Sequence, residues 1–371
     1  MIRSLTLTAL TLFTLLYATS ADAALPVNEE TGGEELNVKE MILHHLDDSY
    51  EWHIVANGEK NLSLPLPVIL RSKRSGWHLF LSSRFHHGEE SYHGFRIASE
   101  GKYAGKIVET TTGGTLTRPL DLSLTRNAAS LLFSSLLLIL LVLAAARSVS
   151  RDPLKPKKGL GGLMEMAVVM IEDELIKPAV GKDYARYSPF LLTLFFFILI
   201  NNLMGLIPLF PGGANVTGNI AVTLVLAIST FLVVNFTGSK EYYREIFWPD
   251  VPVWLKVPFP LMPIIEVVGL FTKPFALMIR LFANIMAGHA IVLGLTSLIF
   301  LSVSLGATIN ASMTAASVLF TVFINFVELL VAFIQAYVFT LLSAVFIGLA
   351  RVEPHVVSSG GQAPVENREQ K

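Results

Sequence analysis

Two stretches decide the fold: Met262–Val303, MPIIEVVGLFTKPFALMIRLFANIMAGHAIVLGLTSLIFLSV, and Met313–Ala350, MTAASVLFTVFINFVELLVAFIQAYVFTLLSAVFIGLA. Each is longer than the about 20 apolar residues that cross a bilayer. As helices rising 1.5 Å per residue they reach roughly 55–65 Å, about twice the hydrocarbon thickness. Either each block hides two crossings or each is one steeply tilted helix. Two crossings need a polar turn mid-block, and the only breaks, Lys273-Pro274 and Gly294, are not turn-like. The weak polar turn at Ser304–Ser312 therefore joins two long tilted helices.

The rest of the chain agrees with a membrane protein. Its 371 residues are 52% hydrophobic and only 15% charged, where a globular chain runs near 25%. Ala128–Ala146, Ser188–Thr237 and Val257–Ala350 together hold 163 residues and four charged ones: Glu266, Lys273, Arg280 and Glu328. That excludes a soluble globular enzyme, a nucleic-acid binder and a disordered linker. It leaves an all-α polytopic membrane protein with a polar domain in front. The net charge of −1 averages two unlike halves and says nothing of partners. With no cysteine there is no disulfide framework, thiolate metal site or Cys nucleophile.

Topology follows from the loops. Residues 1–23 read as a signal peptide, with Arg3, the apolar run Ser4–Tyr17 and Ala21-Asp22-Ala23 for cleavage. Residues 24–127 then form a periplasmic extension. Within it Leu62–Leu70 and Trp77–Phe85 are β-rich runs joined by Arg71–Gly76, a hairpin with prolines marking an edge. Seven of the nine histidines lie there (His44, His45, His53, His78, His86, His87, His93). Their spacing matches no dedicated ligand motif, so no metal site and no cofactor are expected.

The first span is 128–146. Residues 147–187 carry eight basic residues and read as cytoplasmic by the positive-inside bias. Within them Leu163–Ile176, with Glu165, Glu172, Asp173 and Glu174, reads as a helix on the membrane surface that stops at Pro178. Residues 188–237 are a hairpin of two spans, Ser188–Ile207 and Thr217–Thr237, around the Lys/Arg-free loop Pro208–Val216. The loop 238–257 brings back Lys240, Arg244 and Lys256, the long hairpin fills 258–350, and the tail 351–371 is polar and basic. Basic and uncharged loops alternate, giving five crossings with the N-terminus outside and the C-terminus inside.

Arg280 is the outlier in the long hairpin. A guanidinium stays protonated, and mid-bilayer it costs several kcal/mol or more. Glu266 is 14 residues away, and Glu328 is not opposite. Folding the hairpin about Thr308 sets Arg280 against Gln335 and His289 against Glu328, four polar side chains in one register. Ala276, Ala283, Ala287 and Gly288 recur near Arg280 at helical spacing, a smooth groove that lets another helix approach. An unpaired Arg beside such a groove points to an anionic partner on a sliding helix.

These residues carry a resemblance. Phe271–His289, FTKPFALMIRLFANIMAGH, with its R-L-F-x-N-x-x-A-G core, resembles the signature of subunit a of rotary ATP synthases. Glu328 and Gln335 match the second helix, and Asn202-Leu203-Met204-Gly205-Leu206-Ile207-Pro208 resembles the family's N-L-x-G-x-x-P. The similarity covers roughly Leu160–Ala350, and the extension with His44-His45 and Glu51-Trp52-His53 is similar to that of Bacteroidetes-type subunits. Two departures stand out. Asn219, in Thr217-Gly218-Asn219-Ile220-Ala221, replaces the Asp of the family's T-x-D-x-N. The Glu and His that some members carry on the first and second helices are exchanged here as His289 and Glu328.

The resemblance implies a non-catalytic stator subunit in the bacterial inner membrane. Its partners would be a rotor ring of proteolipid c subunits, the peripheral-stalk b subunits, the rest of the ATP synthase and the lipid bilayer. Arg280 would deprotonate the arriving rotor carboxyl and block a direct leak. His289 and Glu328, with Asn284 and Gln335, would line the periplasmic half-channel, and Glu266 would serve the exit half-channel. Ala276, Ala283, Ala287 and Gly288 would face the rotor. An autonomous ion transporter or channel is the alternative, but it calls for an internal repeat or broken helices around a complete site, and no repeat is visible. An assembly or signalling protein led by its extension leaves the buried Arg, His and Glu unexplained.

Overall fold

The computed structural model describes residues 48–57, 60–73, 75–88, 90–98, 101–110, 116–151, 159–207, 212–248 and 261–351. The signal peptide, His44 and His45, the loop centre 208–211 and the tail after Arg351 lie outside them.

The extension is built of short antiparallel strands. These are β1 (Glu51–Asn57), β2 (Lys60–Pro65), β3 (Pro67–Ser72), β4 (Gly76–Leu81), β5 (Phe95–Ile97), β6 (Ile107–Thr110), β7 (Leu116–Thr117) and β8 (Leu120–Asp121). They form three sheets, β1-β2, β4-β3-β8 and β5-β6-β7. The β3–β4 hairpin is the one the alternation predicts, paired from Pro67↔Leu81 to Ser72↔Gly76. Its turn is shorter than expected, because Arg71 and Ser72 stay in the ladder. The run Leu62–Leu70 is not one strand. It breaks at Leu66, whose N–H donates to Ser82 Oγ (3.0 Å) and whose carbonyl accepts from Ser82 N–H (2.9 Å). Trp77–Phe85 likewise ends as a strand at Leu81 and turns into the 3-10 helix Ser82–Gly88, which delivers Phe85 to the core. Val68 and Leu70 alternate inward and close with Tyr50, Phe85, Phe95 and Ile107 into a small apolar cluster.

Seven helices follow among the described residues. The first, α1 (Arg126–Arg151), contains the predicted first span. The second, α2 (Leu160–Met170), runs on through a π turn, Ile171–Ile176, and a short helical turn, Lys177–Val180. Here the expected stop at Pro178 is corrected. The Lys177 N–H donates to the Glu172 carbonyl, five residues back, and this wider turn places Pro178 at the start of the next one, where its missing N–H costs little. The chain breaks instead at Gly181, whose φ of 78° suits glycine. Ile171, Leu175 and Ile176 are buried in the main helical core rather than displayed along one apolar stripe.

The helices α3 (Tyr184–Leu206) and α4 (Ile220–Thr237) form the predicted pair of spans. Asn219 caps α4: its Oδ1 accepts the Ala221 N–H at 2.9 Å, an N-cap role that a neutral amide fills as well as a carboxylate. The basic loop holds the short helix α5 (Lys240–Phe247), capped by Ser239. The two deciding blocks are α6 (Leu261–Leu301) and α7 (Ala307–Ala350), each one continuous helix. They are joined by the 3-10 turn Ser302–Leu305 and Gly306, so the reversal falls slightly before Thr308. The second helix starts six residues earlier than the apolar block suggested. Among the described residues five helical runs are long and apolar enough to cross a membrane.

Polar pairs join these helices inside the apolar bundle. Ser134 Oγ on α1 donates to Asn201 Oδ1 on α3 at 2.8 Å. Asn202 donates to the Ala332 carbonyl at 3.2 Å, and Thr230 and Ser343 share a hydrogen bond at 3.3 Å. In lipid, where apolar surfaces gain little from meeting one another, such bonds and close packing hold helices together. Each end of the bundle is also tied. At one end Trp52 of the extension packs with Ala214 and Val216 of the α3–α4 loop, against Ala129, Leu131 and Val222. At the other end Arg351 Nε donates to Asp183 Oδ2 at 3.0 Å, and the Ser239 N–H donates to the Ala350 carbonyl at 2.8 Å.

Tyr50 gives the extension a pH signature. It is buried and donates its hydroxyl to Asp121. Burial first, and then the hydrogen bond to Asp121, raise its pKa well above the ordinary 10.0. The folded state therefore keeps this proton when the unfolded chain loses it. The stabilisation is complete below about pH 10 and declines as pH rises beyond it. Tyr50→Phe is expected to destabilise the extension by about 1–3 kcal/mol and to remove that alkaline decline, read as amide exchange of residues 67–81 against pH.

Candidate functional site

The site is on the α6–α7 hairpin. Along α6 the residues Ala276, Arg280, Ala283, Asn284 and Ala287 are all exposed on the chain, while Leu277 and Leu281 on the adjoining side are buried. Of the small residues expected as a stripe, Ala276, Ala283 and Ala287 flank Arg280 on an exposed helix face, while Gly288 is half-buried against Glu328. Arg280 makes no hydrogen bond or ion pair with any described residue, and the expected pairing of Arg280 with Gln335 is not formed. Gln335 is instead met by Asn284, one helical turn further along, whose Nδ2 donates to Gln335 Oε1 at 2.8 Å. The reason is side-chain direction. Gln335 is buried on α7, 3% exposed, and Asn284 reaches it from the edge of the α6 face, while Arg280 points away. The other amide atom of Gln335, Nε2, is buried without a hydrogen-bond partner among the described residues.

Two turns nearer the hairpin bend lies Glu328. Its carboxylate occupies the space beside Gly288: a Cβ built there would stand 2.1 Å from Oε1 and 2.9 Å from Cδ. Glycine at 288 is therefore what lets the carboxylate sit on the α6 backbone. His289, half-buried, turns toward the end of α3, its Nε2 3.7 Å from where a Cβ on Gly205 would be. The α3–α4 loop closes the same corner, with Asn215 Nδ2 3.4 Å from Met286 Sδ. His289, Glu328, Asn284 and Gln335 therefore all lie on the bend side of Arg280 in the middle of the hairpin, with His289 against the end of α3. Gly205, quoted for its motif, now has a place: it abuts His289.

Glu266 lies at the opposite end, 14 residues from Arg280 or about 21 Å along a helix. Tyr242 of α5 is close enough to feel it. Burial raises the Tyr242 hydroxyl, with Tyr243 and the Glu266 carboxylate adding to the effect. Lys273, unassigned by the sequence, lies between Glu266 and Arg280 with its ammonium 5.7 Å from the centre of the Phe346 ring. It lines a small cavity with Thr230, Asn235, Tyr242 and Phe346, where α4, α5, α6 and α7 meet. Only the fold reveals this neighbourhood, since its members are spread over more than a hundred residues. Among the described residues no group of three or more His, Asp or Glu could hold a metal ion.

The model of the ATP synthase A chain family matches residues 129–348. The chain belongs to that family. ATP synthase A chain relatives named "ATP synthase subunit a" align with it at about 40% identity. A subunit a 2 from Chlorobaculum tepidum is 43% identical over 240 residues, covering 62% of this chain and 64% of the relative. One from Chloroherpeton thalassium is 40% identical over 253 residues, 66% and 72%. One from Myxococcus xanthus is 41% identical over 241 residues, 64% and 75%. The ATP synthase A chain match begins at the first span, earlier than the Leu160 start of the resemblance read from motifs. A second model, a domain of unknown function (DUF8433), matches residues 41–123 and so covers the extension.

The Asn284–Gln335 bond generates a stability test. Asn284→Ala leaves both ends of the buried Gln335 amide without their partner and is expected to cost about 1–3 kcal/mol. Adding Gln335→Leu removes the stranded amide and should recover most of it. Thermal unfolding of the three variants in mild detergent measures both steps.

Proposed function

We propose that this chain is the ion-translocating stator subunit of an ATP synthase membrane sector, without catalytic chemistry of its own, in a bacterial inner membrane. Its N-terminal extension lies in the periplasm and its C-terminus in the cytoplasm. The observation that carries the reading is Arg280, a permanent cation at the centre of the exposed face Ala276, Ala283 and Ala287 with no partner among the described residues. Within a membrane such a cation requires an anion from elsewhere, and the flat face around it admits a close helix. A ring of c subunits, each with a membrane-embedded carboxyl, supplies both.

The mechanism follows from charge. In lipid the rotor carboxyl stays neutral, and opposite Arg280 it ionises because the fixed positive charge favours the charged form. Protons reach the ring from the periplasm past His289 and Glu328 and then Asn284 and Gln335. They leave toward the cytoplasm past Glu266. The position of the first four residues on the bend side of Arg280, with Glu266 on the other side, supports two offset half-paths separated by Arg280. Each charge crossing releases about 2.3 kcal/mol per 100 mV, and the offset converts that release into rotation in one sense. The b subunits of the peripheral stalk hold this chain still against the ring.

Arg280→Ala is expected to abolish ATP-driven proton pumping in membrane vesicles while the complex still assembles with its ring. Pumping retained by that variant would sink the role. A purified chain that conducts ions without any ring would favour an autonomous channel instead. Gly288→Ala forces the Glu328 carboxylate aside and should slow pumping by up to about 100-fold, the scale of a misplacement of about 1 Å, with assembly unchanged.

A further inference from the structure

We propose that the outer face of the β4-β3-β8 sheet is a lipid-binding face, seated in the interfacial zone of the leaflet on the extension's side of the membrane. The register defines this face. Pairing aligns Trp77 with Arg71 and Arg71 with Leu120. The next row is Leu79 with Ile69, whose carbonyl accepts from the Leu122 N–H at 2.9 Å, and the last is Leu81 with Pro67, whose carbonyl accepts from the Leu124 N–H at 3.0 Å. Eight of these nine side chains are apolar, and they all lie on the side away from the core residues Val68 and Leu70. A half-buried antiparallel sheet ordinarily turns polar residues to water. Here Trp77 is 60% exposed, Leu79 75%, Leu120 53% and Leu122 56%, a patch larger than scattered surface residues account for.

Three observations select lipid as its occupant. First, the face leads directly along the chain into α1, which exposes apolar side chains. Its last row ends at Leu124, two residues before α1 begins at Arg126, and α1 then exposes Leu132, Phe133, Leu136, Ile139 and Leu140. Second, the extension is docked at the end of the helical bundle through Trp52, which holds the sheet near the bilayer plane. Third, the edge remote from α1 carries cations: Arg71, Lys73 and Arg118 line a cleft with Trp77 and Glu109. The Arg71 guanidinium lies 5.5 Å from the centre of the Trp77 ring, and the Glu109 carboxylate accepts from Ser72 Oγ at 2.8 and 2.9 Å. Exposed aliphatic rows, a tryptophan and a basic rim are the composition that sits at a headgroup boundary, the apolar part in the acyl edge and the cations on anionic phosphates.

The chain has no cysteine, so single cysteines give unique label positions in the full-length protein. Leu79→Cys, Leu122→Cys and the exposed control Lys102→Cys are spin-labelled and reconstituted in nanodiscs of phosphatidylcholine with phosphatidylglycerol. Collision with dissolved oxygen and with a water-soluble nickel chelate is then compared. The expected result is that the labels at 79 and 122 favour oxygen over nickel at least several-fold more than the label at 102. Nickel access equal to the control would overturn the proposal, and so would exclusion of both reagents, which marks a protein partner. Leu120→Cys answers the same question if the variant at 79 fails to fold. In pure phosphatidylcholine the oxygen preference should shrink; an unchanged value would refute the part given to Arg71, Lys73 and Arg118.

Discussion

A guanidinium that cannot shed its proton, held in a predominantly apolar helix pair, constrains everything else in this molecule. Water is absent from the hydrocarbon, so the charge must be met by an anion. Among the described residues none offers one: Glu266 lies about four turns away along α6, and the Glu328 carboxylate fills the space beside Gly288. Small side chains flank Arg280 on its exposed face, and none of the described residues covers it. In the proposed function the anion comes from a helix outside this chain.

The rest of the bundle keeps that face in place. Polar groups away from it are spent on joining helices, as in Ser134 with Asn201, Asn202 with the Ala332 carbonyl and Thr230 with Ser343. The first ties α1 to α3, and the other two anchor α7 to α3 and α4, so that α6 leans on a fixed neighbour. The two ends are fastened differently. An aromatic residue of the extension plugs the α3–α4 loop at one end, and an arginine–aspartate contact clasps α7 to the start of α3 at the other. Pinning at both ends suits the stator role proposed above.

Much of this was legible in the sequence, for a simple reason. Charge scarcity over long apolar runs reports the spans directly, and alternating basic loops report their order. What was hidden depends on geometry finer than composition. Pro178 reads as a stop, but the π turn before it lets the helix continue to Gly181. The run Leu62–Leu70 reads as one strand, but Ser82 captures both backbone groups of Leu66. A single hairpin register placed Arg280 against Gln335. In the folded pair Asn284 takes that position, since two crossing helices keep one register only where they touch and side-chain direction decides the partner. Lys273 could not be placed at all, because its neighbours come from four helices. Asn219 shows the reverse case: read as a lost carboxylate, it is a helix cap.

The contact between Gly288 and Glu328 has an evolutionary consequence. The carboxylate fills the volume that a side chain at 288 would need, so the two positions share one space across the hairpin. A lineage cannot enlarge residue 288 first without dislodging residue 328, nor keep the long acid at 328 once 288 has grown. Positions 288 and 328 are therefore constrained as a pair.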